Sequence, residues 1–179
     1  VNLIIQQLCS KGIYDHVEGG IARYTIDEDW IIPHFEKMLY DNTQFIILLS
    51  KYCKINPDNY FKDKLAQTLD FLKKNFSNKE GFLGSAYDAD SEGEEGKYYS
   101  FSREELDLIS KNTDFKTFTS YYNIDINNPW EYDRYLLLPN KNNFEADWLK
   151  SNNLSKSVLL SQKKIWESNI IEIKDNRTK

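Results

Sequence analysis

A chain of 179 residues can hold one ordinary domain or a piece of a larger one. With 40% hydrophobic and 28% charged residues it is neither a disordered tail nor a fibrous repeat. Its 23 Lys and Arg against 28 Asp and Glu leave a net charge of −5, which argues against nucleic acid as a partner. From Lys150 onward 7 basic residues stand with 3 acidic ones, against 16 and 25 before that point, so a modestly basic terminus follows an acidic body. The longest strongly apolar stretch, Phe45 to Leu49, falls far short of the ~20 residues that span a bilayer, so no membrane partner is expected. The chain opens on Val1 rather than Met and carries no signal-peptide pattern. The expectation is a cytoplasmic protein whose natural start lies upstream. Cys9 and Cys53 form no CxxC pair and are too few for a disulfide framework, so both are expected reduced and structural.

In chain order, residues 1–11 read as the last turns of a helix, with Leu3, Ile4, Gln7 and Leu8 on one stripe and Gly12 as its stop. Residues 12–32 form a long connection holding Gly19-Gly20 and short β-like runs such as Ala22 to Ile26. Pro33 suits the first turn of a helix that continues through Phe35, Met38, Leu39, Asn42, Ile46, Leu49 and Cys53. After the turn and cap at Asn56-Pro57-Asp58, a second helix runs to about Phe76, with Phe61, Leu65, Leu69, Leu72 and Phe76 inward. The two helices make an αα-hairpin. Two short aromatic runs, Phe82 to Tyr87 and Lys97 to Phe101, flank an acidic Gly-containing turn and predict a β-hairpin. Ser102-Arg103-Glu104-Glu105 is a capping box for a helix to about Lys111. Helices are also predicted over residues 114–122, 144–150 and 155–169, with a strand over 135–138 ended by Pro139. The fold class is mainly α with a short β-hairpin.

Three constellations could carry chemistry. The loop Tyr14-Asp15-His16-Val17-Glu18-Gly19-Gly20 continues to Arg23, Tyr24, Asp27 and Trp30, and its paired glycines let the backbone turn or approach a ligand. A surface loop that caps neighbouring helix ends is the alternative. In Pro33-His34-Phe35-Glu36-Lys37-Met38-Leu39-Tyr40-Asp41-Asn42, His34 and Asp41 would project from one helix face, about 10 Å apart along its axis, and flank one ligand. Asn42 falls inside the apolar stripe, where a buried amide needs partners. A satisfied structural histidine and an interhelical hydrogen-bonded Asn are the alternative. The run Asp88-Ala89-Asp90-Ser91-Glu92-Gly93-Glu94-Glu95-Gly96-Lys97 begins like a calcium loop, but Tyr99 stands at position twelve where a bidentate Glu belongs. Asp88 and Asp90 could serve instead as an acid/base pair, or the run could be a solvated turn. No P-loop, G-x-S-x-G elbow, G-x-G-x-x-G or metal-binding His/Cys spacing occurs, so neither cofactor nor metal is expected.

These segments, in this order and spacing, resemble the thioredoxin-domain-containing proteins of the YyaL and spermatogenesis-associated type. The resemblance rests on Gly12 to His16 with Gly19-Gly20, on Arg23-Tyr24, Asp27 and Trp30, on the string PHFEKMLYDN, and on Ser85 to Tyr98 with DADSEGEEGK. It is strong over residues 1 to about 100 and looser beyond, where Trp130-Glu131 and Tyr135-Leu136-Leu137 match. The resemblance implies a thioredoxin-like domain followed by an α/α toroid of the six-hairpin glycosidase type, related to the N-acylglucosamine 2-epimerase barrels. Residues 1–179 would be one partial toroid domain, an early arc. The thioredoxin-like domain and the later hairpins, absent from this chain, would be its partners in the whole protein. It implies a carbohydrate ligand at the toroid's mouth, and sugar epimerase or isomerase chemistry or glycoside hydrolysis. His34, Asp41, Asp88 and Asp90 would then be acid/base groups, with His16, Arg23, Tyr24, Trp30, Glu36 and Tyr87 binding substrate. A non-catalytic interaction scaffold beside the thioredoxin-like module is the alternative.

Overall fold

The computed structural model describes residues 2–139 and 145–177, the side chains of 145–147 excepted. The protein is mainly helical, with a few short antiparallel strand pairs. It divides into two compact units, the first running to Gly96 and the second beginning at Lys97.

The first unit starts with α1, Asn2–Ser10. Its buried residues are Ile5 and Cys9, one turn apart, and they enter a core made with Tyr14, Phe45, Leu49, Tyr52 and Phe61. The predicted stripe is thus rotated: Leu3 and Ile4 are exposed, and only Leu8 of that set packs against the core. Burial pushes the Cys9 thiol up to about 12, and both cysteines are free, as a structural role requires.

The expected helix start at Pro33 is wrong by six residues. Pro33 bridges Thr25, Phe35 turns through φ +60°, and β1, Lys37–Met38, pairs antiparallel with β2, Ala86–Tyr87. Only then does α2 run over Leu39–Ile55, with Asn42, Phe45, Leu49 and Tyr52 inward. A left-handed residue and two ladder positions cannot belong to a helical turn, so His34 lies outside the helix that carries Asp41. Asp58 caps α3, Asn59–Phe71, by accepting from the Tyr60 N–H at 2.9 Å. The helix widens into a π turn over Leu72–Phe76. Helices α2 and α3 form the predicted hairpin, and Leu39 and Ile46 cover Phe71, Leu72 and Phe76 at its far end.

The two aromatic runs do not pair with each other, contrary to the expected β-hairpin. The first supplies β2 to β1, while the acidic turn forms a small hairpin of its own, β3 Asp90–Ser91 with β4 Glu94–Glu95. Glu92 and Gly93 at its tip have φ +55° and +81°, the backbone of a two-residue type I′ connection.

In the second unit, β5, Ser100–Phe101, pairs with β6, Tyr135–Leu136. The capping box is present: Ser102 Oγ accepts from Glu105 N at 3.3 Å, Glu105 Oε2 accepts from Ser102 N at 2.8 Å, and α4 covers Arg103–Ile109. Asp114 caps α5, Phe115–Tyr121. Helix α6 spans Glu145–Ser151; Phe144, the expected start, lies outside the described residues. The last helix, α7, capped by Ser155, covers Lys156–Asp175 and so continues six residues past its expected end at Asn169. It packs on α4 and buries Trp166 against Phe118, whose ring centroid is 5.4 Å away. No described helix is long and apolar enough to cross a membrane.

Candidate functional site

Most polar groups of the Gly-rich loop are engaged in holding the loop itself. Asp15 Oδ1 accepts from the N–H groups of Val17 and Glu18 at 2.8 and 3.0 Å, while Oδ2 accepts from Lys37 Nζ at 2.7 Å. Lys37, with only 2% of its side chain exposed, also donates to the Gly19 carbonyl at 2.9 Å and lies 4.2 Å from the Phe71 ring centroid. An ammonium so deeply buried needs such pairing to remain charged. Asn42 finds the partners its position demands: Oδ1 accepts from Ile21 N at 2.8 Å, and Nδ2 donates to the Ile21 and Met38 carbonyls at 3.0 and 2.9 Å. Gly20 adopts φ +80°, and a Cβ there would stand 2.6 Å from Phe71 Cδ1 and 2.8 Å from Asn42 Oδ1. The close approach that glycine permits is to the protein's own core. His16 is likewise engaged: Nε2 faces the Lys11 carbonyl at 3.0 Å and Nδ1 faces Lys64 Nζ at 3.2 Å.

One face of this locked loop carries the remaining candidates together. Arg23 N donates to the Glu36 carbonyl at 2.9 Å and His34 N to the Tyr24 carbonyl at 3.0 Å, which sets Arg23 and Tyr24 beside His34 and Glu36. The Tyr24 and His34 rings stack at 4.6 Å with planes 12° apart. Arg23 Nη1 donates to Glu36 Oε2 at 3.1 Å. That hydrogen bond, with the nearby Tyr40 and Glu36, raises the guanidinium further. Asp41, in the first turn of α2, is held above the usual carboxylate range by burial, with Arg23 opposing and Glu36 adding to the rise. Its Oδ2 is buried without a hydrogen-bond partner among the described residues.

The acidic hairpin reaches this face through a residue that sequence reasoning did not single out. His34 Nδ1 lies 2.9 Å from Glu95 Oε1. The signal was present in the Glu92-Gly93 pair, because a two-residue turn there sets Asp90 opposite Glu95 and so fixes which carboxylate stands where. Asp90 sits across the ladder from Glu95, whereas Asp88 Oδ1 accepts from Asp90 N at 3.1 Å, a local turn cap. Tyr87 donates its hydroxyl to the Asn75 carbonyl and packs on Phe76, and burial raises its phenol. Trp30 lies in the turn organised by Asp27, whose carboxylate accepts from Ile31 and Ile32, and nothing among the described residues joins its indole to the His34 group. The structure therefore brings together Arg23, Tyr24, His34, Glu36 and Asp41, adds Glu95, and engages His16 with Lys11 and Lys64 and Tyr87 with Asn75 and Phe76. Among the described residues no group of three or more side chains could hold a metal ion.

No family model matches the chain. It is 40% identical over 92 residues to spermatogenesis-associated protein 20 of Rattus norvegicus, a match covering 51% of this chain and 12% of that protein. Against the Homo sapiens protein of the same name it is 35% identical over 111 residues, 59% of this chain and 14% of the relative. An uncharacterised protein of Caenorhabditis elegans is 35% identical over 89 residues, 49% and 12% of the two chains. The chain thus spans 12–14% of the length of these relatives. Over about half of its own length, it is homologous to spermatogenesis-associated protein 20.

Proposed function

We propose that the Tyr24–His34 face binds a carbohydrate, and that the chain is an early arc of an α/α toroid of the six-hairpin glycosidase type. In the whole protein, a thioredoxin-like module and later hairpins would complete that plan. The observation that carries the reading is the stacked Tyr24–His34 pair bordered by Glu95, the Arg23–Glu36 pair and Asp41. An aromatic face with planar polar groups at its edge suits a sugar, whose C–H face lies on the ring while its hydroxyls exchange hydrogen bonds with guanidinium and carboxylate. His34 and Asp41 are the acid/base candidates, because an imidazole can accept or give a proton and burial holds the Asp41 carboxyl above its usual range. That pair serves either epimerisation beside a carbonyl or protonation of a glycosidic oxygen. Asp88 and Asp90 enter this reading only as rim charge.

A non-catalytic scaffold is the second reading, and the engagement of Asp15, Lys37 and Asn42 in locking the loop favours it. A thermal-shift screen of the full chain with mono- and oligosaccharides separates the two. The carbohydrate reading expects a saturable rise in Tm with at least one sugar, abolished in Tyr24→Ala and His34→Ala variants that remain folded. No rise with any sugar, or a rise unchanged in both variants, would overturn it.

A further inference from the structure

The geometry points to Glu95 as a positioning residue that fixes the tautomer of His34 and leaves Nε2 as the proton acceptor of the Tyr24 face. For its ligand this assignment rests on the carbohydrate reading above. A carboxylate has no proton to give, so across the 2.9 Å contact His34 Nδ1 must be the donor and Glu95 Oε1 the acceptor. The neutral ring then carries its hydrogen on Nδ1, and the lone pair falls to Nε2. Among the described residues Nε2 makes no hydrogen bond, and 29% of the His34 side chain is exposed. Stacking on Tyr24 at 12° holds the ring plane, so the lone pair has a fixed direction along the platform. When Nε2 takes a proton from a ligand group, the positive charge that appears on the ring lies beside the Glu95 carboxylate, which stabilises it.

The other histidine has the opposite arrangement. His16 Nε2 meets the Lys11 carbonyl, which only accepts, and Nδ1 meets the Lys64 ammonium, which only donates. His16 must therefore carry its hydrogen on Nε2. Two histidines of opposite tautomer in one chain make an internal reference.

Long-range ¹H–¹⁵N correlation spectra of the full chain, recorded at alkaline pH where histidine is neutral, read both tautomers directly. The expected result is a protonated Nδ1 and bare Nε2 for His34, with the reverse for His16. In Glu95→Ala the His34 hydrogen should shift to Nε2, the form water favours, while Glu94→Ala leaves it on Nδ1. A bare Nδ1 on His34 in the unmodified chain overturns the assignment with no variant needed, as does an identical response to Glu95→Ala and Glu94→Ala. A chain that binds no sugar yet keeps His34 protonated on Nδ1 contradicts the carbohydrate reading and leaves the Glu95 assignment standing.

Discussion

Asn42 is a fully buried amide on the inward side of α2. Its place in an apolar stripe demanded buried partners, and three hydrogen bonds to Ile21 and Met38 supply them, so that much was legible from residue chemistry alone. What one sequence could not give was the direction of those bonds, which run to the Gly-rich loop and tie it to the start of α2. Replacing Asn42 by Leu would keep the volume and strand the Ile21 amide and carbonyl in a dry site. We expect a loss of about 3 kcal/mol in urea unfolding, the cost of buried backbone groups left unpaired. A loss under half of that would mean the loop finds other partners. His34 carries the complementary lesson: its type marked it as a candidate, but its carboxylate partner lies 61 residues away and depends on the register of a two-residue turn.

Among the elements, those with local signatures were readable and those made by distant partners were not. The Asp58, Ser102, Asp114 and Ser155 caps all sit where their side chains announce them, because a cap is satisfied within three residues. The predicted strand-like runs at residues 82–87, 97–101 and 135–138 do hold β2, β5 and β6, but β1 was taken for helix. The pairings of β1 with β2 and β5 with β6 join segments far apart in sequence, so no periodicity could reveal them. The capping box of α4 has a further role that the sequence did not disclose. Glu105 also accepts from Arg134 at 3.2 Å and from Arg177, tying β6 and the end of α7 to this helix. Burial pushes the Glu105 carboxyl up, but the Arg177 and Ser102 hydrogen bonds and the charges of both arginines outweigh it, so its folded value lies below the ordinary one. A depressed folded value means that the contribution to stability is present above the unfolded value of about 4.3 and is lost as pH falls through the folded one. Glu105→Gln should therefore cost about 2 kcal/mol near neutral pH, from the two arginines left short of a carboxylate, and flatten the acid limb of the stability profile. An acid limb as steep as in the unmodified protein would contradict this account.

For the molecule as a whole, composition and helix periodicity pointed to a mainly helical protein, which the structure bears out, and no described helix is long and apolar enough to cross a membrane. They did not disclose the division at Gly96, because nothing in the sequence there resembles a linker. The strings that marked the resemblance lie mostly in the first unit, and so does the face made by Arg23, Tyr24, His34, Glu36, Asp41 and Glu95. Hydrogen–deuterium exchange of the full chain, with and without the sugar that raises Tm most, tests that placement directly. A carbohydrate on this face should slow exchange over residues 22–36 and 88–96 and leave α4 and α7 unchanged. Slowing confined to the second unit, or no change over residues 22–36 at saturation, would contradict it.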